Sequence, residues 1–417
     1  YYKYAMSSIF SVLNNEKTSR WHIILLILAG MGVFLDGYDI SIISGALLFL
    51  KTQFALTPFL SSMVGAATSI GMLIGSLSFG YMADKFGRRL AFLWDLVFFV
   101  VFAIASALSQ NAWELIIFRV LLGIGLGADY ALSLTIIAEF SPSSSRGALL
   151  GSQSLGWVIG ALAAYGVAFA LAPLGSISWR WMLGLGAIPA IAVIIARNWL
   201  PESPRWLVVH GQADKAAEIV SKLTGKNVQP SELEQKYKKQ RKVPISKLFS
   251  RNIIKYTIFI WLYWFIFDFV FYGIGIFAPT LIEILGLKGI MASLEESVFM
   301  AFLYVLANIA AILLLDKIGR KKLSLIGFLI SSLALYILAF TFPPPISLFL
   351  IVFPLYAFFI EFGPAINTFV YSAELFPTEV RATGQASSTF VSRIGAIIGI
   401  FVLPSLIVAW GTPRALI

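Results

Sequence analysis

The sequence predicts an all-α membrane protein built from two parallel six-helix bundles. Three observations predict this. First, 59% of the 417 residues are hydrophobic and only 12% are charged, whereas soluble domains are about a quarter charged; the mean hydropathy is +0.86. Second, long apolar runs recur along the whole chain, and runs of about 18 or more residues read as membrane-spanning helices. Third, loop motifs in the first half return in the second.

Taken in order, the spans fall near 22–50, 58–82, 90–108, 112–138, 148–172, 178–199, 253–283, 292–315, 323–342, 346–372 and 384–410. The closing GTPRALI reads as the start of a twelfth, so an incomplete last span is expected. The opening YYKYAM suggests a natural start further upstream. No cleavable signal peptide is expected, because a polar, charged segment of about twenty residues precedes the first span. The organisation is then a helix bundle over 1–199, a polar linker with short helices over 200–252, and a second bundle over 253–417. Within the linker, QADKAAEIVSKL predicts a helix at 212–223, followed by the basic run EQKYKKQRKV.

Lysine and arginine set the expected orientation. With the N-terminus cytoplasmic, outward loops carry Lys51, Arg180, Lys288 and Arg414. Inward loops carry Lys85, Arg88, Arg89, Arg146, Lys317, Arg320, Lys321, Lys322, Arg381 and the linker. This asymmetry accounts for the net charge of +10 without nucleic acid as a partner. The linker's basic run would lie near anionic lipid headgroups.

The halves are repeats. GYMADKFGRRLAF at 80–92 recurs as LLLDKIGRKKLSL at 313–325, aligning Asp84 with Asp316. AEFSPSSSRG recurs as AELFPTEVRATG, aligning Glu139 with Glu374 and Arg146 with Arg381. Both units start on the same side, which makes them parallel repeats about an axis along the membrane normal. Their charged turns (Asp84, Arg88, Arg89, Glu139 and Arg146; Asp316, Arg320, Glu374 and Arg381) are expected to tie helix ends and influence gating. The repeat offset of 232 residues also carries Asp36 onto Asp268.

Seven charges inside predicted spans stand out: Asp36, Asp39, Arg119, Asp129, Asp268, Glu361 and Arg393. Each costs about 2.5–3.5 kcal/mol at a helix centre, so they are expected to converge on a shared polar interior. In WFIFDFVFY, Trp264, Asp268 and Tyr272 are four apart and share one helical face. A carboxylate in such surroundings can carry a proton and release it on contact with water. The remaining aromatics there (Trp261, Tyr263, Phe265, Phe267, Phe269 and Phe271) surround the helix and are expected to pack or to face lipid.

Other chemistries find little support. The absence of cysteine removes thiolate metal sites and cysteine nucleophiles, and two histidines do not make a histidine-rich metal site. GIGLGAD lies within a span and lacks the Lys-Ser/Thr of a phosphate-binding loop; its Gly123 and Gly127 suit close helix packing. No hydrolase motif is present, and neither an enzyme activity nor a cofactor other than coupling protons is expected.

The doubled D-x-x-G-R-[RK]-[RK], RVLLGIGLG and PESPRWL resemble the major facilitator superfamily across nearly the whole chain. GYDISIISGALLFLK, SWRWMLGLGAIPA and PESPRWL look like its sugar porters, although the seventh span lacks their Gln-Gln-x-x-Gly-x-Asn. DGYD, GADYALS and the Trp264, Asp268, Tyr272 stripe resemble its phosphate:proton symporters. That resemblance implies a proton path through Asp36, Asp39 and Asp129. It implies a solute site lined by Tyr130, Trp264, Asp268, Tyr272 and Arg393, with Gln153 or Trp157 in the fifth span and Asn367 in the tenth. Arg119 and Glu361 join the proton path, and Asp268 is expected to be the coupling acid that touches the solute. Two departures stand out: Ala365 replaces the family's Asn, and Glu361 adds an acid. The expectation is a monomeric, proton-coupled symporter in the cell membrane that imports a small polar solute by alternating access. Inorganic phosphate is the first reading, a sugar or small organic acid the alternative, and a non-transporting nutrient sensor a third.

Overall fold

In the computed structural model, residues 20–140, 146–198, 201–224, 227–238, 245–377 and 380–416 are described. Apolar runs in this chain become helices because a backbone in hydrocarbon must satisfy its own hydrogen bonds. The first half contains α1 (Arg20–Gln53), α2 (Pro58–Phe86), α3 (Arg88–Leu108), α4 (Ala112–Phe140) and α5 (Arg146–Leu171). Its sixth span is α6 (Ser178–Leu185) continued by α7 (Ala187–Arg197). The linker forms α8 (Pro204–Val209), α9 (Ala213–Thr224) and α10 (Pro230–Lys238). The second half contains α11 (Ile254–Ile276), α12 (Ala278–Leu285), α13 (Ile290–Ile318) and α14 (Arg320–Phe340). It ends with α15 (Ile346–Ile360), a π-turn at Glu361–Ala365, α16 (Ile366–Glu374) and α17 (Arg381–Leu416).

Each predicted span therefore has its helix. Among the described residues, nine helical stretches are long and apolar enough to cross a membrane, the one at Gln153–Arg197 holding two of the predicted spans. Outward apolar residues such as Leu329, Phe340, Ile351 and Val408 are two-thirds or more exposed, as expected of side chains facing acyl chains. In the last span the helix breaks at Gly411 (φ 80°, ψ 159°), close to the predicted boundary.

The repeated motifs have a physical basis in their glycines. Gly87 (φ 105°) joins α2 to α3, and its repeat mate Gly319 (φ 88°) joins α13 to α14. Both need the positive φ that glycine adopts freely. Beside the first turn, Glu202 of PESPRWL accepts the Arg89 backbone N–H at 3.2 Å, and the Arg89 guanidinium donates to the Asn198 carbonyl at 2.5 Å. Linker and bundle are thereby joined. The linker helices share a small core of their own around Leu207, Ala216, Val220 and Leu233.

Packing follows the repeat. In the first half α1 lies along α5 and α2 along α4; in the second, α11 lies along α17. Small residues allow these approaches: a Cβ on Gly160 would overlap the Phe34 carbonyl, and one on Gly399 the Phe269 carbonyl. Gly123 and Gly127 likewise face carbonyls of α2, as the sequence suggests. The halves meet where α5 runs beside α13 and α16, and where α2 runs beside α17.

Candidate solute and proton site

At this interface α1, α5, α11 and α17 bring one group of polar side chains together. The four-residue spacing on α11 holds Trp264, Asp268 and Tyr272 on a common, buried face. From α17, Arg393 donates to the Tyr272 hydroxyl at 2.7 Å, and its guanidinium stands 3.8 Å from Asp36 Oδ2 on α1. Asp36 Oδ2 also accepts the indole N–H of Trp157 on α5 at 3.2 Å. Trp264 and Ser392 are hydrogen-bonding neighbours of Asp268, which also feels Arg393. The repeat mates Asp36 and Asp268 thus approach one arginine from opposite halves. One oxygen of each, Asp36 Oδ1 and Asp268 Oδ2, is buried without a hydrogen-bond partner, leaving acceptors for a hydroxyl or a proton.

Aromatic rings border this group. Trp157 meets Phe271 edge-on at 5.3 Å and Tyr272 at 6.3 Å, and Phe271 lies 6.0 Å from Tyr304 on α13. Phe271 is therefore part of the site, contrary to its sequence reading as packing. Tyr263 does serve packing, since its hydroxyl donates to the Pro364 carbonyl at 3.0 Å. Trp261 similarly donates to Ser387 on α17 at 3.1 Å.

The other intramembrane charges pair locally, while Asp39 and Asp129 still lie near enough to Asp36 to act on it electrostatically. Asp39 and Arg119 form a two-pronged ion pair between α1 and α4, at 2.8 and 3.2 Å. Thr68 of α2 adds a hydroxyl to Asp39 at 3.0 Å. Asp129 is bonded to Arg197 at the end of α7, and Asp95 on α3 stands 3.7 Å from the same guanidinium. Arg197 also donates to the Phe92 carbonyl at 3.1 Å and lies 3.4 Å above the Phe92 ring. The pairing has a physical reason. A buried ion is tolerated when its counter-ion and hydrogen bonds are adjacent, so each arginine gathers its own acids. The approach is close enough that a Cβ on Gly32 would overlap the Asp129 carboxylate.

Glu361 forms a fourth cluster. It opens the π-turn, and its Oε2 accepts from Asn308 Nδ2 on α13 at 3.4 Å. The same amide donates to Ser154 on α5 at 2.7 Å, so this chain crosses between halves. Asn367 is a correction: its amide donates to Ser324 at 2.7 Å and to the Arg320 carbonyl at 3.0 Å, tying α16 to α14 away from the solute group. Because the π-turn widens the helix after Glu361, a face counted at 3.6 residues per turn no longer holds. Gln153 is buried against α1, near Gly30. The Tyr130 side chain lies outside the described residues.

In the second-half gating motif, Asp316 and Arg320 pair at 2.7 Å, and Arg320 forks onto Glu374 at 2.8 and 3.2 Å. The side chains of Asp84, Arg88, Glu139, Arg146 and Arg381 lie outside the described residues. Sequence reasoning missed Asp95 and Arg197, although both are charges inside predicted spans. It also missed Asn308, Ser154, Tyr304 and Ser392, neutral residues that only the fold brings to the site.

A family profile described as "Sugar (and other) transporter" matches residues 25–413. The chain belongs to this family. The putative metabolite transport protein YaaU of Escherichia coli is 34% identical over 404 residues, covering 96% of this chain and 89% of YaaU. The arabinose-proton symporter of Bacillus subtilis is 32% identical over 400 residues, covering 92% and 85%. The low affinity inorganic phosphate transporter 4 of Lotus japonicus matches at a lower 28%, over 94% and 85%. In fold, the transporter is similar to the proton:xylose symporter XylE bound to 6-bromo-6-deoxy-D-glucose, with a TM-score of 0.78 at 24% identity, covering 96% of this chain and 93% of XylE. The protein is accordingly a multi-pass major facilitator transporter and no enzyme. The expected phosphate preference is the weaker match: the metabolite transport protein and the arabinose-proton symporter are more similar to this chain than the phosphate transporter is.

Proposed function

We propose that the transporter is a monomeric proton symporter importing a small, neutral, hydroxyl-rich solute such as a sugar, with its N-terminus cytoplasmic. The observation that carries this is the charge at the half–half interface: Asp36 and Asp268 share the single Arg393. A site already holding more acid than base disfavours phosphate, whose negative charge would add to the excess. It suits hydroxyls, which can donate to free carboxylate oxygens while their ring faces stack on Trp157 and Trp264. Relatives named as an arabinose-proton symporter and a glucose transporter support the same choice.

Coupling is assigned to two groups. Asp268 and Asp36 touch the solute, and their interaction with Arg393 ties the halves across the site. Asp39, held by Arg119, relays the proton: protonation removes the attraction and frees Arg119, which alters the α1–α4 contact. Asp129 is a helix tie through Arg197. Uptake of labelled glucose, arabinose and xylose into proteoliposomes under an inward proton gradient tests the reading, with phosphate and nicotinate as competitors. Sugar uptake that dissipates with the gradient is expected. Phosphate uptake with no sugar uptake would overturn the substrate assignment.

A further inference from the structure

Five other acids buried among the described core helices face an arginine: Asp39 faces Arg119, Asp95 and Asp129 face Arg197, and Asp36 and Asp268 face Arg393; Glu296, near the start of α13, is 8% exposed and has Glu295 beside it. Glu361 is 2% exposed, yet among the described residues it has no cation at ion-pair distance and one long hydrogen bond, from Asn308. Its neighbours are Tyr304 of α13 and Tyr356 of α15. Neither supplies positive charge. A buried carboxylate so weakly compensated costs several kcal/mol as an ion, and the low-cost form is the neutral acid.

A second observation points the same way. Asn308 Oδ1 is buried and has no hydrogen-bond partner, while its Nδ2 is committed to Ser154 at 2.7 Å. A neutral Glu361 has the O–H that this acceptor lacks. Ionised, it can only accept, from the second N–H of the same amide, and Asn308 Oδ1 stays without a donor. The proton on Glu361 therefore decides whether Asn308, whose amide reaches α5 of the opposite half, has a donor for its own oxygen.

We propose that Glu361 is a second proton-binding residue, in the C-terminal half, and that its proton crosses with the solute in addition to the one relayed at Asp39. The proposal rests on the symporter reading. Glu361 takes its proton from water on one side and returns it on the other, each time the π-turn region opens. While occluded, the proton gives Asn308 Oδ1 its donor.

Two measurements on the full-length transporter test this. Infrared spectra of liposome-reconstituted protein near neutral pH are expected to contain a protonated-carboxyl band that shifts on carboxyl-13C glutamate labelling and disappears in Glu361→Gln. This arm needs no solute, and the labelled wild type needs no variant. Absence of a glutamic acid band, or its survival in Glu361→Gln, would overturn the proposal. The second arm measures steady-state accumulation of labelled xylose, arabinose or glucose against imposed proton gradients. The slope should fall by one coupled proton per sugar in Glu361→Gln. An unchanged slope would remove Glu361 from coupling while leaving the symporter reading intact. A wild type whose uptake ignores the gradient would defeat that reading and the coupling of this proton with it, and the infrared arm would still decide whether Glu361 holds a proton.

Discussion

The two halves carry comparable repeats but handle their buried charges differently. In the first half, Arg119 and Arg197 neutralise Asp39, Asp95 and Asp129 within their own bundle. In the second, Arg393 reaches across to Asp36, and Glu361 relies on Asn308, which also bridges the halves. Charges compensated inside one bundle hold that bundle together as it moves. Charges compensated across the interface must be remade whenever the halves rock, so they can respond to solute and proton.

The strongest way to break this comparison is at Arg197. Arg197→Ala leaves Asp95 and Asp129 buried without their counter-ion, which costs about 3–5 kcal/mol. The expected result is loss of monodisperse, folded protein in detergent, read by size-exclusion chromatography and thermal unfolding. Arg393→Ala should be milder for the fold and severe for uptake, because the bundles keep their own packing. Near-equal thermal stability losses in the two variants would erase the distinction.

Asp39→Asn should abolish gradient-driven accumulation while sugar exchange across the membrane continues. Counterflow at zero gradient, compared with uptake under a gradient, separates the two. Trp157→Phe removes one hydrogen bond to Asp36, worth about 0.5–1.5 kcal/mol, and should raise KM several-fold with little change in kcat. The smallest effect is expected at Lys51, which donates to Thr280 of α12 at 2.8 Å across the halves. Lys51→Met should bias the transporter toward opening at that end. Single introduced cysteines can report this cleanly, because these 417 residues contain none.

Much of this was legible in the residues. Apolar length alone placed the helices, because hydrocarbon forces backbone pairing within each span. The repeat offset linked Asp36 to Asp268, and four-residue spacing found the Trp264, Asp268, Tyr272 stripe. Arg393 was also visible as a charge with no reason to face lipid. Other features were hidden for physical reasons. Arg197 sits at the end of its span, where it resembles an interfacial charge, and its partner Asp95 was overlooked among the aromatics of LWDLVFF. Asn308 and Ser154 carry no charge and become important only when α5 and α13 meet. Asn367 entered through the family resemblance, two residues beyond the Ala365 that replaces the family's Asn, and its amide is committed instead to Ser324 and the Arg320 carbonyl.

Solute-dependent proton uptake by proteoliposomes, comparing wild type with Asp268→Asn, tests the interface site most directly. A sugar pulse should alkalinise the medium around wild-type vesicles, and Asp268→Asn should lose this signal together with most accumulation. Full sugar transport with full proton uptake in Asp268→Asn would contradict the role assigned to the Asp36–Arg393–Asp268 group.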